Sequence, residues 1–343
     1  MKQFQINFDL SSVTVNVIAL CLAIIINFSV TAQEYNSGSI SFNIDNDGLL
    51  GSDRGYSNGI FFKYHSDSVV NLENFSPIAI QKVAKLLPLQ QNTDKGWGVS
   101  LGQQIWTPDD ISSKIELEND RPYAGLLFVK ALVFESSENM ANKFSFMFGL
   151  VGPNALAEES QKAIHSLIGS KKPMGWQRQI ENQKVYNFSY ETQALLLREQ
   201  VWNKQDCDVS FIGRVNIGNF QNEIAVGGAI RWGRVLNESF ASVGLAPGNY
   251  IDVSVLSQSK SGQFSYLALE GRYRFDDITI DGARPEHVFN VNTQHWQSTL
   301  SSGFVFYKES WGVALSVIAS SSDYKEDIRH YNATASVEVF WRG

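Results

Sequence analysis

Four stretches of the 343-residue chain hold residue types that can do chemistry at short spacing. In Asp45-Asn46-Asp47-Gly48, carboxylate, amide and backbone oxygens sit together, and such hard donors are what calcium takes. The same residues dominate ordinary turns. The EF-hand spacing and its terminal Glu are missing, so the stretch is either a turn or an irregular oxygen site. Gly55-Tyr56-Ser57-Asn58-Gly59 matches the G-x-S-x-G pattern of a nucleophile elbow. An elbow needs strand, sharp turn and then helix; here Ile60-Phe61-Phe62-Lys63-Tyr64 carries on as strand, which makes Ser57 a hydrogen-bonding helper rather than a nucleophile. Arg54 and Arg121 each follow an aspartate and precede a tyrosine by two positions, a pattern of ion pairs at strand starts. Lys114 is a loop lysine. Of the five histidines, His165 alone falls on a helix-like stretch of a loop that also carries candidate oxygen ligands nearby. A histidine so placed is either an idle surface residue or the titrating group of a site.

Strands must hold these stretches. Phe144, Phe146, Phe148 and Leu150 fall on one strand face, with Lys143, Ser145, Met147 and Gly149 on the other. Farther on, Leu267, Leu269, Tyr273 and Phe275 oppose Glu270, Arg272 and Arg274. About twelve such segments begin near Ser39, Ser57, Trp97, Tyr123, Lys143, Lys184, Cys207, Glu223, Gln263, His295, Trp311 and Tyr331. Many are longer than the strands of soluble sandwiches and match the roughly 9 to 11 tilted residues that cross a bilayer in a barrel with an apolar outside and a polar lumen. Closure removes sheet edges and pairs every backbone group in lipid. The expected fold is all-β: a transmembrane antiparallel β-barrel of about twelve strands, one domain over 33–343. A secreted soluble β protein is the competing architecture.

With the N-terminus in the periplasm, parity sends the first, third and fifth connections to the cell surface. They carry, in turn, Asn46, Asp47, Arg54 and Ser57; then Lys114; then His165. In the last of these, 155–168 fits a short helix with Asn154 as cap, Glu158 and Glu159 in the early turns and Gly169 as stop. Ala157, Gln161, Ile164, His165 and Ile168 share a face that should lie on the barrel's outer rim. Two insertions, 67–96 with a helix-like 77–87 and 236–262, fall at the periplasmic end, where short turns are expected. A further strand near 250–256 would account for the second.

Residues 1–32 read as a secretory signal, with Lys2, an apolar run over 17–26 and Val30-Thr31-Ala32 before Gln33; an uncleaved anchor is the alternative. Cys21 leaves with such a leader, and one remaining cysteine, Cys207, makes no internal disulfide. With 43% hydrophobic and 18% charged residues, disorder is excluded. A net charge of -7 argues against nucleic acid as a partner.

Taken together, Asn46-Asp47, Asp53-Arg54, Tyr56-Ser57-Asn58-Gly59, Asp120-Arg121 with Tyr123-Ala124-Gly125, Ala163-Ile164-His165-Ser166-Leu167-Ile168-Gly169 and Trp176-Gln177-Arg178-Gln179-Ile180-Glu181-Asn182 resemble the outer-membrane lipid A 3'-O-deacylase family of the LpxR type. The likeness lies in the N-terminal half; the C-terminal half adds only strand alternation. It implies a twelve-stranded barrel in the Gram-negative outer membrane, with an active site between wall and loop helix that faces the exterior. It also implies a calcium ion for hydrolysis of the 3'-linked acyl ester of lipid A, the glycolipid of lipopolysaccharide. Carried over, His165 is the general base, Asn46 and Asp47 the metal-side pair, Ser57 the family's hydroxyl position, and Lys114 or Arg54 the positive group toward substrate. The loop around Lys114 departs in length from the family pattern. The expected species is a monomer surrounded by outer-membrane lipids. A different class remains open: a passive pore or surface-binding barrel, with Arg214, Glu270, Arg272 and Arg274 lining or filling the lumen.

Overall fold

The computed structural model describes residues 38–343 apart from 51–53, 73–75, 116–117, 203–204 and 286–287, so the leader expected over 1–32 lies outside the described residues. Twelve antiparallel strands close into one barrel. They are β1 (Ser39–Asn46), β2 (Gly55–His65), β3 (Asp94–Thr107), β4 (Ala124–Ser136), β5 (Met140–Val151), β6 (Gln183–Trp202), β7 (Gln205–Gly218), β8 (Gln221–Arg234), β11 (Ser261–Asp277), β12 (Trp296–Lys308), β13 (Trp311–Ser321) and β14 (Tyr331–Arg342). Each pairs with its neighbour in the chain, and β1 with β14 closes the ring, Ser39 opposite Arg342 and Asn46 opposite Ala335. Among the described residues no helix is long and apolar enough to cross a membrane.

Period-two chemistry drives this closure. Along β11, Phe264, Tyr266, Ala268, Glu270, Arg272 and Arg274 are buried inside, while Leu267, Leu269 and Phe275 are 42%, 57% and 52% exposed on the outer surface. An apolar exterior of that kind is stable in lipid, where each strand's polar backbone is bonded to its neighbours.

We call the end bearing the connections 47–54, 108–123 and 152–182 the upper rim. At the lower rim, 66–93 carries the helix α1 (Ile78–Ala84), within the helix-like stretch expected. The segment 235–260 departs from expectation. It adds no strand to the wall; it folds into a two-stranded hairpin, β9 (Val243–Ala246) and β10 (Asn249–Ile251), followed by a 3-10 helix over Val253–Gln258. Its Leu236, Val243, Leu245, Ile251, Val253 and Leu256 pack on Phe264, Tyr266, Val305, Tyr307 and Phe340 of the wall's inner face. A polar lumen is therefore true only of the upper part. The lower part is an ordinary hydrophobic core, because the segment has apolar residues to bury and the inner face there offers aromatic ones.

Above that core the interior is charged. Arg214 reaches Glu223 at 3.1 Å and Glu270 at 2.7 Å, and Arg274 reaches Glu223 and Asp277, each at 2.7 Å. Lys143 meets Asp252 of the inserted segment at 2.7 Å. Burial opposes ionisation of Asp252, but the Lys143 ammonium overcomes it and holds the carboxyl well below its ordinary range. The hairpin tip, with Leu245, Ala246, Pro247, Asn249 and Tyr250, floors an internal cavity of about 210 Å³.

Candidate active site

The site begins with a break in the alternation of β2. Register shifts between Tyr56 and Asn58 opposite Trp106 and Ile105 of β3, a β-bulge at Ser57. Bulges re-aim side chains. Here Tyr56 faces the internal cavity, whereas Ser57 and Asn58 both line a crevice on the outside of the wall. Ser57 Oγ donates to the Ile105 carbonyl at 3.3 Å. On β1 the alternation is intact, so Asp45 points in and Asn46 points to the same crevice.

The opposite side of the crevice is the helix α2 (Ala157–Ile168), which lies on the outer surface of the barrel. It starts two residues later than expected. Pro153-Asn154-Ala155 forms a separate 3-10 turn, Leu156 in the left-handed region (φ 56°) links it to α2, and the Asn154 N–H goes to Asn182 Oδ1 at 2.8 Å. Pro153 fits the first position of that short turn, so Asn154 lies inside it and is not the helix cap. Gly169 (φ 70°) ends α2 as expected.

Close approach of α2 to the wall depends on Gly125 of β4, where a Cβ would lie 2.3 Å from the Ala157 Cβ. Gln103 Nε2 donates to the Ala155 carbonyl at 2.7 Å, and Trp176 Nε1 donates to Gln161 Oε1 at 2.8 Å. Ala157, Gln161 and His165 are all buried on the face toward the wall.

His165 is 8% exposed, and its Nδ1 lies 2.6 Å from the Lys171 carbonyl. A carbonyl only accepts, so Nδ1 carries the proton and donates it to Lys171. Together Asn46, Ser57, Asn58, Ile105, Gln161, Ile164 and His165 enclose about 10 Å³, room on the order of one water.

Asp47 follows Asn46 but serves the 47–54 loop. Its Oδ2 accepts the Arg54 N–H at 2.7 Å, and its own N–H donates to the Ser57 carbonyl at 3.2 Å. Arg54 is engaged at the rim, with Asp109 at 3.4 Å, Asp327 at 3.6 Å and the Tyr331 carbonyl at 2.7 Å. Arg121 likewise reaches another loop, Asp323 at 2.9 Å. Both arginines thus join loops far apart in sequence. Asp120 accepts from Asp109 and Tyr324, and burial raises its pKa. Lys114 is exposed and does not line the crevice. Arg178 donates to the carbonyls of Ser113 and Lys114, tying that loop to the one carrying His165. The structure therefore gathers Asn46, Ser57 and His165 in one crevice, with Asp47 next to Asn46 in the chain, and it does not bring Arg54 or Lys114 into that lining. Ile105, fully buried on the outer face of β3, is the lining residue that sequence reasoning missed; only a burial not owed to the lumen would have marked it.

For a cation, the nearby donors are the Asp47 carboxylate, the Asn46 amide and the Ser57 hydroxyl. All are oxygens, which suits calcium better than a soft metal. No cluster of three His, Cys, Asp or Glu among the described residues provides a metal site. Asn46 and Asp47 would hold the ion.

The family model described as outer membrane protein LpxR matches residues 17–343 of the sequence. The chain belongs to the LpxR family. The barrel is similar to that of LpxR from Salmonella typhimurium, with a TM-score of 0.74 at 15% identity over 88% of this chain and 99% of that one. The β domain of the Bordetella autotransporter BrkA (0.40, 9% identity, 89% and 97% covered) and the translocator domain of NalP from Neisseria meningitidis (0.37, 8% identity, 97% and 99% covered) are more distant. No curated protein matches the sequence significantly. This LpxR-family barrel has its polar crevice on the outer wall and its lower lumen filled.

Proposed function

We propose that this LpxR-family barrel is a calcium-dependent lipid A deacylase that hydrolyses the 3'-linked acyl (acyloxyacyl) ester in the outer leaflet of the outer membrane, with its crevice toward the cell exterior. The observation that carries this reading is the position of His165, buried between α2 and the outside of the wall with Asn46 and Ser57. A soluble substrate has no reason to approach the outer surface of a barrel, whereas a membrane lipid diffuses along it. The filled lower lumen counts against a passive pore.

Ester hydrolysis needs an activated water and a place for negative charge. The crevice is too small for an acyl chain and fits a water beside His165. The Lys171 carbonyl fixes the ring so that Nε2 takes the water proton. The water oxygen then bonds to the ester carbon; as the carbon–oxygen bond to the sugar breaks, the same imidazole returns the proton to the departing alkoxide. The products are a fatty acid and a sugar hydroxyl. Calcium bound by Asn46 and Asp47 would supply positive charge to the carbonyl oxygen. Ser57 orients water or substrate through its hydroxyl. Lys114 supplies auxiliary charge, since Arg54 already faces two carboxylates.

Mass spectrometry of lipid A from cells producing wild type and His165→Ala tests the assignment. Wild type should show loss of the 3'-linked acyl group, and the variant the intact glycolipid despite a heat-modifiable, folded barrel. Identical spectra from both would remove His165 as the base.

A further inference from the structure

The inner and outer faces of the β1–β2 hairpin are joined at one carboxylate. Asp45 is fully buried and points into the lumen, one residue before Asn46. Its Oδ2 accepts two hydrogen bonds: from the Tyr56 hydroxyl at 2.8 Å and from the Gly248 N–H, at the tip of the β9–β10 hairpin, at 2.9 Å. Tyr56 immediately precedes the bulge that turns Ser57 and Asn58 outward. Gly248 has φ +69°, and a Cβ there would lie 2.4 Å from the Phe61 ring, so the tip fits only as glycine. On the far side of the same strands lie Asn46, Ser57, Asn58 and His165.

We propose that the inserted segment is part of the site's scaffold. Through Gly248, Asp45 and Tyr56 it fixes the bulge from inside, so that Ser57 and Asn58 are held at the right distance from the α2 histidine. Tyr56 and Asp45 are positioning residues: neither touches the crevice, and each acts through the residue that follows it. The part concerning turnover rests on the deacylase reading; the part concerning the bulge does not. A β-bulge leaves a residue outside the ladder and is free to relax unless something pins it. Here Ser57 is held through its hydroxyl by the Ile105 carbonyl and through its own carbonyl by the Asp47 N–H, and the lumenal relay holds the preceding side chain from the other face. The 235–260 segment thus has a use beyond filling space, since a plug of equal volume without the Gly248 contact would leave Asp45 with one fewer donor.

The test compares Tyr56→Phe with Tyr266→Phe. The second also deletes a buried lumenal hydroxyl, one that bonds only wall serines, Ser301 at 3.1 Å and Ser316 at 2.7 Å. Two readouts are taken on purified full-length barrel in detergent: deacylation of lipid A in mixed micelles, and amide hydrogen exchange over 45–60. Tyr56→Phe should lower kcat about tenfold with KM unchanged, as expected of a misplaced rather than a missing group. It should also quicken exchange in that stretch about tenfold. Tyr266→Phe should do neither. Asp45→Ala should exceed Tyr56→Phe in both readouts, and Asp45→Asn, which keeps an acceptor, should recover part of the loss. If Tyr56→Phe matches wild type in both readouts while His165→Ala is inactive, the relay is overturned and the deacylase reading stands. Quickened exchange in a protein whose wild type never cleaves lipid A would support the relay and overturn that reading. Equal losses in both tyrosine variants would mean general loosening, and would overturn the relay as well.

Discussion

Two parts of the same wall obey opposite rules. On β7, β8 and β11 to β13 the outer face is apolar and open: Phe211, Ile217, Val226, Ile230, Leu300, Phe304, Leu315 and Val317 are all exposed, and the polar residues face inward. On β1 to β3 the outer positions near the upper rim are Asn46, Ser57, Asn58 and Gln103, polar groups taken out of lipid by a helix laid over them. Leaving such groups against hydrocarbon would cost several kcal/mol each. The helix and the bulge are the structural answer to that cost. The difference teaches where to look in a membrane barrel: chemistry for a lipid substrate belongs where the outer face turns polar and is covered.

The sharpest way to break this contrast is to remove the imidazole or the ion. His165→Ala should lower deacylation by roughly 10² to 10⁴ with the barrel folded, as judged by heat modifiability and lipid A mass spectrometry. Chelation with EDTA should have an effect of similar order, reversed by calcium and not by magnesium, whose demand for tight octahedral geometry a loop mouth of this kind serves poorly. Activity that survives exhaustive chelation would remove the ion from the scheme and leave the crevice to its protein groups.

A smaller effect distinguishes covered wall from open wall. Gly125 lies under α2, with Ala157 at 2.3 Å from where a Cβ would be; Gly271 of β11 has nothing within 4 Å. Gly125→Leu should push α2 outward and cost about a hundredfold in turnover, the scale expected for an ångström of misplacement. Gly271→Leu should leave turnover unchanged. Equal rates in the two variants would show that the position of α2 on the wall does not matter to the reaction.

Much of this was legible in the sequence because period-two alternation is a local signal. All twelve wall strands lie where the alternating segments fall, and Gly169 ends its helix as its type demands. What escaped depends on partners remote in sequence. The stretch 250–256 reads as strand because it is apolar and β-branched; that its partner is the barrel's own lower interior follows from Phe264, Tyr307 and Phe340 facing inward at that level. The Ser57 bulge is invisible in Gly55-Tyr56-Ser57-Asn58-Gly59, since one extra residue changes no composition and the relay that holds it comes from Gly248. Asn154 looked like a cap until Pro153 drew it into a turn of its own. Arg54 and Arg121 read as ion-pairing groups at strand starts, but that each reaches the 322–330 loop, through Asp327 and Asp323, depends on residues some two hundred positions or more away.

The smallest effect on turnover should come from the open side of the wall. Glu223 lies buried between Arg214 at 3.1 Å and Arg274 at 2.7 Å, and also accepts from Asn216 at 2.8 Å. Glu223→Gln keeps the shape and removes the charge, leaving two guanidinium groups facing each other with one fewer carboxylate. Breaking a buried pair in this way typically costs about 3–5 kcal/mol. The cost should fall toward the lower end because the neighbouring cavity lets water reach both arginines. The folded barrel should therefore unfold at clearly lower denaturant in lipid vesicles, while deacylation below that point changes less than twofold. The crevice lies on another face, on other strands, and shares none of these ion pairs. A large loss of turnover in Glu223→Gln would mean that the two regions are coupled through the lumen, and the division between chemical wall and structural wall would have to be redrawn.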